Sequence, residues 1–197
     1  LHKPKGVTST KKDRFAEKTV MDLLPQKYKG LWPVGRLDKD TTGLLLCTND
    51  GDLSYRLTHP RFRIPKVYIA CLDRPLQSGH KTLFERGVAL EDGKTAPCSM
   101  SFVKPTKIKV TIYEGRKRQI KRMFALFGYE VKDLKRIAVG PLTLGSLPEG
   151  QWRTLFDSEI AELKKDTSNN CASFNTGFRK SKSISHSVGK YKKLPHC

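Results

Sequence analysis

A chain of 197 residues is long enough for one sizeable hydrophobic core, or one core and a tail. Its 38 Lys and Arg against 19 Asp and Glu leave a formal charge of +19; such a balance points to a polyanionic partner, nucleic acid first, because basic side chains gain affinity by releasing counterions from phosphates. No apolar run approaches the roughly 20 residues that span a bilayer, no signal-peptide pattern opens the chain, and five scattered cysteines without a Cys-x-x-Cys pair argue against a disulfide framework or a zinc ribbon. A cytoplasmic location is expected.

In chain order, Leu1 to Val7 reads as a strand running into a Pro4/Gly6 turn, and its abrupt opening implies chain upstream. Thr19 to Leu24 reads as a short helix closed by Pro25. Leu31 to Val34 leads into Gly35-Arg36-Leu37-Asp38-Lys39-Asp40-Thr41-Thr42-Gly43, a polar, acidic turn set directly against the apolar run Leu44 to Cys47. That run reads as a short buried strand punctuated by Gly43 and Gly51. Asp38 thus lies on a loop entering a core strand, where a rigid scaffold can aim a carboxylate into a cleft. By residue type alone it is a nucleophile, a metal ligand or a turn-former. Asp52 is expected to cap a short helix, Leu53 to Leu57, which His59-Pro60 breaks.

Lys66 to Leu72 is a β-branched and aromatic strand with Lys66, Tyr68, Ala70 and Leu72 on one face. A helix is expected around Lys81 to Arg86, a turn at Glu91 to Lys94, and a strand from Ala96 to Val103; Ile108, Val110 and Ile112 then alternate with polar residues as a half-buried strand. After Glu114-Gly115, Ile120, Met123, Phe124 and Phe127 form one apolar face of a helix that Gly128 ends. Arg116, Lys117, Arg118, Lys121 and Arg122 crowd its first half, where the macrodipole is already positive, so an anion is expected nearby. Strands at Val131 to Ile137 and Leu142 to Leu144 and a helix over Asp157 to Lys164 follow. From Thr167 the composition turns to Ser, Thr, Asn and Lys without an acid, which predicts a basic, disordered tail. The expected division is 1–165 for a folded domain and 166–197 for the tail.

Several chemistries fail on inspection. Asp38-x-Asp40-x-Thr42-Gly43 imitates the start of a calcium loop, but Asn49 stands where a bidentate Glu is needed and the flanks read as strands. No phosphate-cradling Gly-x-x-x-x-Gly-Lys occurs, no Ser/His/Asp triad has support, and His and Cys do not cluster. What remains is an aspartate on a loop, a tyrosine sharing a strand face with a lysine, and a cationic helix start. These parts suit an RNA-modifying site without a cofactor: an aspartate can attack a sugar carbon, a cation can hold it ionised, and an aromatic ring can stack on an extruded base.

The motifs also have a family likeness. Lys3-Pro4-Lys5-Gly6, Gly35 to Leu46, Lys66-Val67-Tyr68, Glu114 to Met123 and Leu147 to Arg153 occur in the order found in the pseudouridine synthases of the RsuA/RluB/RluE/RluF type, which the chain resembles from Leu1 to about Leu163. By that resemblance Asp38 is the nucleophilic aspartate, Tyr68 the active-site tyrosine, Lys121 the basic residue paired with the aspartate, and Ile120 an apolar wall of the uracil pocket. The motif residues Arg36, Leu37, Lys66, Arg116, Arg118, Gln119, Ile120 and Arg122 become the candidates for contacting substrate. The fold implied is α+β, a long mixed and mostly antiparallel sheet with flanking helices and a central cleft. The reaction implied is isomerisation of a uridine in ribosomal RNA, large-subunit ahead of small-subunit, with no metal, nucleotide or redox cofactor and a monomeric protein. Relatives carry an N-terminal S4-like RNA-binding domain that has no counterpart here. The competing expectation is a non-catalytic RNA-binding or ribosome-assembly factor of the same fold, which needs the basic surface but neither Asp38 nor Tyr68.

Overall fold

The computed structural model describes residues 1–11 and 14–176, with side chains through Thr167. Its regular elements in chain order are β1 (His2–Lys3), β2 (Trp32–Pro33), β3 (Thr42–Leu44), β4 (Cys47–Thr48), α1 (Gly51–Thr58), β5 (Lys66–Leu72), α2 (Ser78–Glu85), β6 (Ala89–Leu90), β7 (Gly93–Lys94), β8 (Ser99–Lys104), β9 (Lys107–Ile112), α3 (Gln119–Leu126), β10 (Val131–Val139), β11 (Leu142–Thr143) and α4 (Asp157–Thr176). Seven strands form one sheet in the order β1-β3-β10-β5-β9-β8, with β11 on β10. Only β3 and β10 run parallel; the other pairings in this sheet are antiparallel. The architecture is the α+β one expected.

β5 is flanked by β10 and β9, with Tyr68 opposite Arg136 on one side and Val110 on the other. Its alternation buries Tyr68, Ala70 and Leu72, and β9 buries Ile108, Val110 and Ile112. The apolar face of α3, Ile120, Met123 and Phe124, joins these residues and Phe84 of α2 in one core cluster. Each large side chain so buried contributes about 1.5–3 kcal/mol. A second cluster lies beneath α1 and α4 and includes Leu53, Leu57, Ile64 and Leu163. Leu45 faces the first cluster while Leu44 and Leu46 face the second, so the run after the Asp38 loop links the two cores.

That run is not one strand. β3 pairs with β1 and β10, whereas β4 pairs with β2. Gly43 permits the first pairing: its φ is +111°, and a Cβ there would lie 2.2 Å from the carbonyl oxygen of Arg136. The segment Val20–Leu23 is a 3-10 turn closed by a Thr19/Asp22 capping box instead of an α-helix. Asp50, not Asp52, caps α1 by accepting the Leu53 N–H at 2.9 Å; Asp52 instead pairs with Arg56 one turn on, at 2.8 Å. α3 begins at Gln119, so Arg116, Lys117 and Arg118 precede the helix, with Arg118 in the left-handed region at φ +51°. α4 continues through Thr176, past the boundary expected at 165, so 166–176 is helical and not disordered. Burial of Leu163 and Thr167 anchors the helix, and propagation from an anchored turn costs little even through Ser and Asn. The rest of the expected tail, 177–197, lies outside the described residues.

Candidate functional site

The loop carrying Asp38 is held by the N-terminal segment beneath it. Buried Ser9 donates its hydroxyl to the Leu37 carbonyl at 2.9 Å and accepts the Leu37 N–H at 3.2 Å. The Gly6 N–H donates to the Lys39 carbonyl at 2.8 Å, and the Thr41 N–H closes the turn on the Asp38 carbonyl at 3.0 Å. Lys3, fully buried, donates from Nζ to the carbonyls of Pro4 (2.8 Å) and Lys39 (3.4 Å). Burial pushes this ammonium down to about 8, against the raising influence of Asp40, Glu149 and Asp38. With Leu37 inserted in the core, the loop has little freedom, and Asp38 is fixed at the wall of a cavity.

The cavity encloses about 240 Å³, room for a pyrimidine base, and is lined by Asp38, Tyr68, Ile120, Lys66 and Arg136 among others. Tyr68 comes from β5, Ile120 from α3 and Arg136 from β10, so three elements and the loop converge there. Tyr68 and Ile120 are buried. Arg136 is only 4% exposed and donates Nε–H to the Leu44 carbonyl at 2.7 Å. Lys66 donates to the Ile64 carbonyl at 3.2 Å; burial first, then the charge of Arg136, pushes its ammonium down to about 8. Among the described residues neither cation pairs with a carboxylate. Arg36, Lys117 and Arg118 line the same cavity but are exposed and form its rim.

Of the sequence candidates, Arg36, Leu37, Asp38, Lys66, Tyr68, Arg116, Arg118, Gln119 and Ile120 border this cavity, whereas Lys121 and Arg122 do not. Lys121 pairs with Asp40 at 2.6 Å, not with Asp38 as expected. It follows Ile120 on α3 and so projects about 100° around the helix from the residue that lines the cavity. Asp40, read from sequence as a turn residue, collects both Lys121 and Arg118, the latter at 3.3 Å. Burial raises its carboxyl, but the hydrogen bond and charge of Lys121, then of Arg118, outweigh this and hold it below the usual carboxylate range.

The anion expected at the start of α3 is supplied from within the chain. Arg122 makes a fork on Asp92, at 2.9 and 3.0 Å. Arg116 reaches the carbonyls of Asp92, Gly93 and Lys94 at 3.2, 2.9 and 2.6 Å and the Glu114 carboxylate at 3.3 Å. Gln119, buried, accepts the Arg116 N–H and donates to Glu114. The β6–β7 hairpin is thereby tied to the helix start.

Sequence reasoning missed Arg136, Lys3 and Ser9 as site residues. For Arg136 a signal existed: Leu134, Arg136 and Ala138 alternate on the inward face of β10, and a charge at an inward strand position marks a site where burial is offset by something specific. Among the described residues, no group of three or more His, Cys, Asp or Glu is placed to hold a metal ion, and no helix is long and apolar enough to cross a membrane.

A family model described as RNA pseudouridylate synthase matches residues 1–126. A protein of Aquifex aeolicus named as an uncharacterized RNA pseudouridine synthase is 43% identical over 152 residues, which cover 75% of this chain and 61% of that protein. The ribosomal large subunit pseudouridine synthase B of Bacillus subtilis is 40% identical over 170 residues, 83% of this chain and 70% of that protein. The ribosomal small subunit pseudouridine synthase A of Vibrio cholerae is 38% identical over 169 residues, 84% of this chain and 73% of that protein. A crystal structure of a pseudouridylate synthase superposes with a TM-score of 0.78 at 36% identity, covering 83% of this chain and 71% of that one.

Proposed function

This chain belongs to the RNA pseudouridylate synthase family, and on that premise we propose that it converts a uridine of ribosomal RNA to pseudouridine, with Asp38 as the reacting carboxylate. The observation that carries the reading is the convergence of Asp38, Tyr68 and Ile120 on one base-sized cavity with a basic rim. The target uridine leaves its stack and enters between the Tyr68 ring and Ile120. Unstacking costs a few kcal/mol, which stacking on the tyrosine and phosphate contacts at Arg36 and Lys117 offset. Asp38 acts at the ribose, compensating positive charge at C1′ or bonding to the sugar, as the C1′–N1 bond breaks. The uracil turns over, C5 bonds to C1′, the C5 proton leaves with Tyr68 alongside, and N1 gains a proton. Lys121 and Arg118 act on the loop through Asp40, fixing the backbone that presents Asp38.

The relatives are named for both ribosomal subunits at similar identity. Large-subunit RNA is the first substrate to test, and the cytoplasm is the proposed place of action. Chemical mapping of pseudouridine in both ribosomal RNAs, with and without the purified chain, decides the matter. A new modification at one uridine is expected. RNA binding without any new modification would replace the enzyme by a non-catalytic RNA-binding factor.

A further inference from the structure

The basic residues around the cavity fall into two groups. Arg36 and Lys117 are exposed and suit a phosphodiester, which stays charged and hydrated throughout a reaction. Lys66 and Arg136 lie on the floor. Arg136 sits directly across the sheet from Tyr68, and Lys66 is two residues from Tyr68 on the same strand face. Their hydrogen bonds go to the carbonyls of Ile64 and Leu44, which stabilise a cation only partly. Two like charges side by side in a desolvated site, with no paired carboxylate among the described residues, raise each other's energy. An anion arriving in the cavity relieves that cost.

The base that rests on Tyr68 is neutral when bound. It becomes anionic when the C1′–N1 electron pair departs with it and spreads over N1 and the two carbonyl oxygens. Groups that meet charge only after bond breaking lower the barrier without tightening substrate binding. We propose that Lys66 and Arg136 form a cationic floor that stabilises the negative charge on the uracil oxygens as the glycosidic bond breaks. The proposal rests on the function given above and adds two catalytic groups to it. No net proton or electron is consumed: the charge is transient, and it is discharged when C5 bonds to C1′ and its proton is released. Lys66 is a cation below about pH 8 and neutral above it, so its contribution fades as pH rises through that value. The charged groups facing it are Arg136 from β10, Asp38 and Arg36 from the loop before β3, and the Arg116–Arg118 arm, with Tyr68 on its own strand.

The test uses the full chain and the variants Lys66→Met, Lys66→Arg and Arg136→Lys, the last keeping a buried cation so that folding is preserved. In single turnover at saturating RNA, Lys66→Met is expected to slow conversion about a hundredfold while RNA affinity stays within about threefold. Replacing the target by 5-fluorouridine, whose uracil is a better leaving anion but whose C5 carries no proton to release, shrinks that deficit when loss of the C1′–N1 bond is followed in both substrates in place of pseudouridine. The wild-type rate falls above about pH 8, and Lys66→Arg moves the fall to higher pH. Independently of turnover, 5-nitrouracil, an anion at neutral pH, binds wild type about tenfold more tightly than Lys66→Met. Weakened RNA affinity with an unchanged rate would make the pair a phosphate contact and overturn the proposal, as would equal 5-nitrouracil binding or an equal deficit with both substrates. A wild-type chain that binds 5-nitrouracil through Lys66 but modifies no RNA would sink the assigned reaction while keeping the anion floor.

Discussion

The floor of the cavity and the arm beside it both concentrate positive charge, but they dispose of it in opposite ways. On the arm, Arg116 and Arg122 are held by Glu114 and Asp92, and Arg118 and Lys121 by Asp40. Those ion pairs are partly exposed and screened, and their work is to fasten a hairpin and the Asp38 loop to α3. On the floor, buried Arg136 and half-buried Lys66 lie beside Tyr68 with backbone carbonyls as their hydrogen-bond partners. A cation already neutralised by its own chain has little left for a substrate; one held only by a backbone carbonyl keeps more of its field. The density of Lys and Arg in a motif is therefore a poor guide to which of them meet RNA.

Variants that disturb the frame around the floor should have the largest effects. Gly43→Ala drives a Cβ to 2.2 Å from the Arg136 carbonyl at a positive φ, and about 3 kcal/mol of stability or more should be lost in thermal or urea unfolding. An unchanged midpoint would break the claim that glycine sets the β3–β10 approach. Ser9→Ala leaves both backbone groups of Leu37 without their buried partner, for a loss of about 1–3 kcal/mol and a slower reaction. On the arm the effects should be smaller. A double-mutant cycle of Asp40→Asn and Lys121→Met should give a coupling of about 1 kcal/mol. Lys117→Ala should lower the salt dependence of RNA binding by about one counterion, whereas Arg122→Ala, whose guanidinium is committed to Asp92, should leave that slope unchanged and cost at most about 1 kcal/mol of stability. Equal slopes for the two would erase the distinction between an arm cation paired with a carboxylate and one that has no ion pair among the described residues.

Much of this arrangement was legible in the sequence where periodicity or turn chemistry was decisive. The alternation of Lys66 to Leu72 set both the strand and the face that Tyr68 shares with Lys66, and the spacing of Ile120, Met123 and Phe124 set the buried side of α3. The motif reading put Asp38, Tyr68 and Lys121 in one cleft with Ile120 as its apolar wall; Asp38, Tyr68 and Ile120 line one cavity, whereas Lys121 lies outside it on Asp40. Partner choice was less legible. Asp38 and Asp40 sit in one tight turn, and only the turn's backbone decides which carboxylate meets Lys121. Asp50 and Asp52 posed the same ambiguity at the start of α1, settled by which side chain reaches the Leu53 N–H. Arg136 escaped notice because its role depends on long-range pairing: β10 inserts between β3 and β5, setting it against Leu44 of β3, 92 residues earlier.

The most direct test sets Asp38→Asn beside Asp40→Asn in the same conversion assay, with RNA affinity measured on both. The geometry predicts that Asp38→Asn, which removes the carboxylate from the cavity wall, abolishes pseudouridine formation while RNA affinity stays within about threefold; Asp40→Asn, which loosens the clasp on Lys121 and Arg118, retains a reduced rate. Retained turnover in Asp38→Asn, or its loss only in Asp40→Asn, would contradict the assignment of Asp38 as the reacting group.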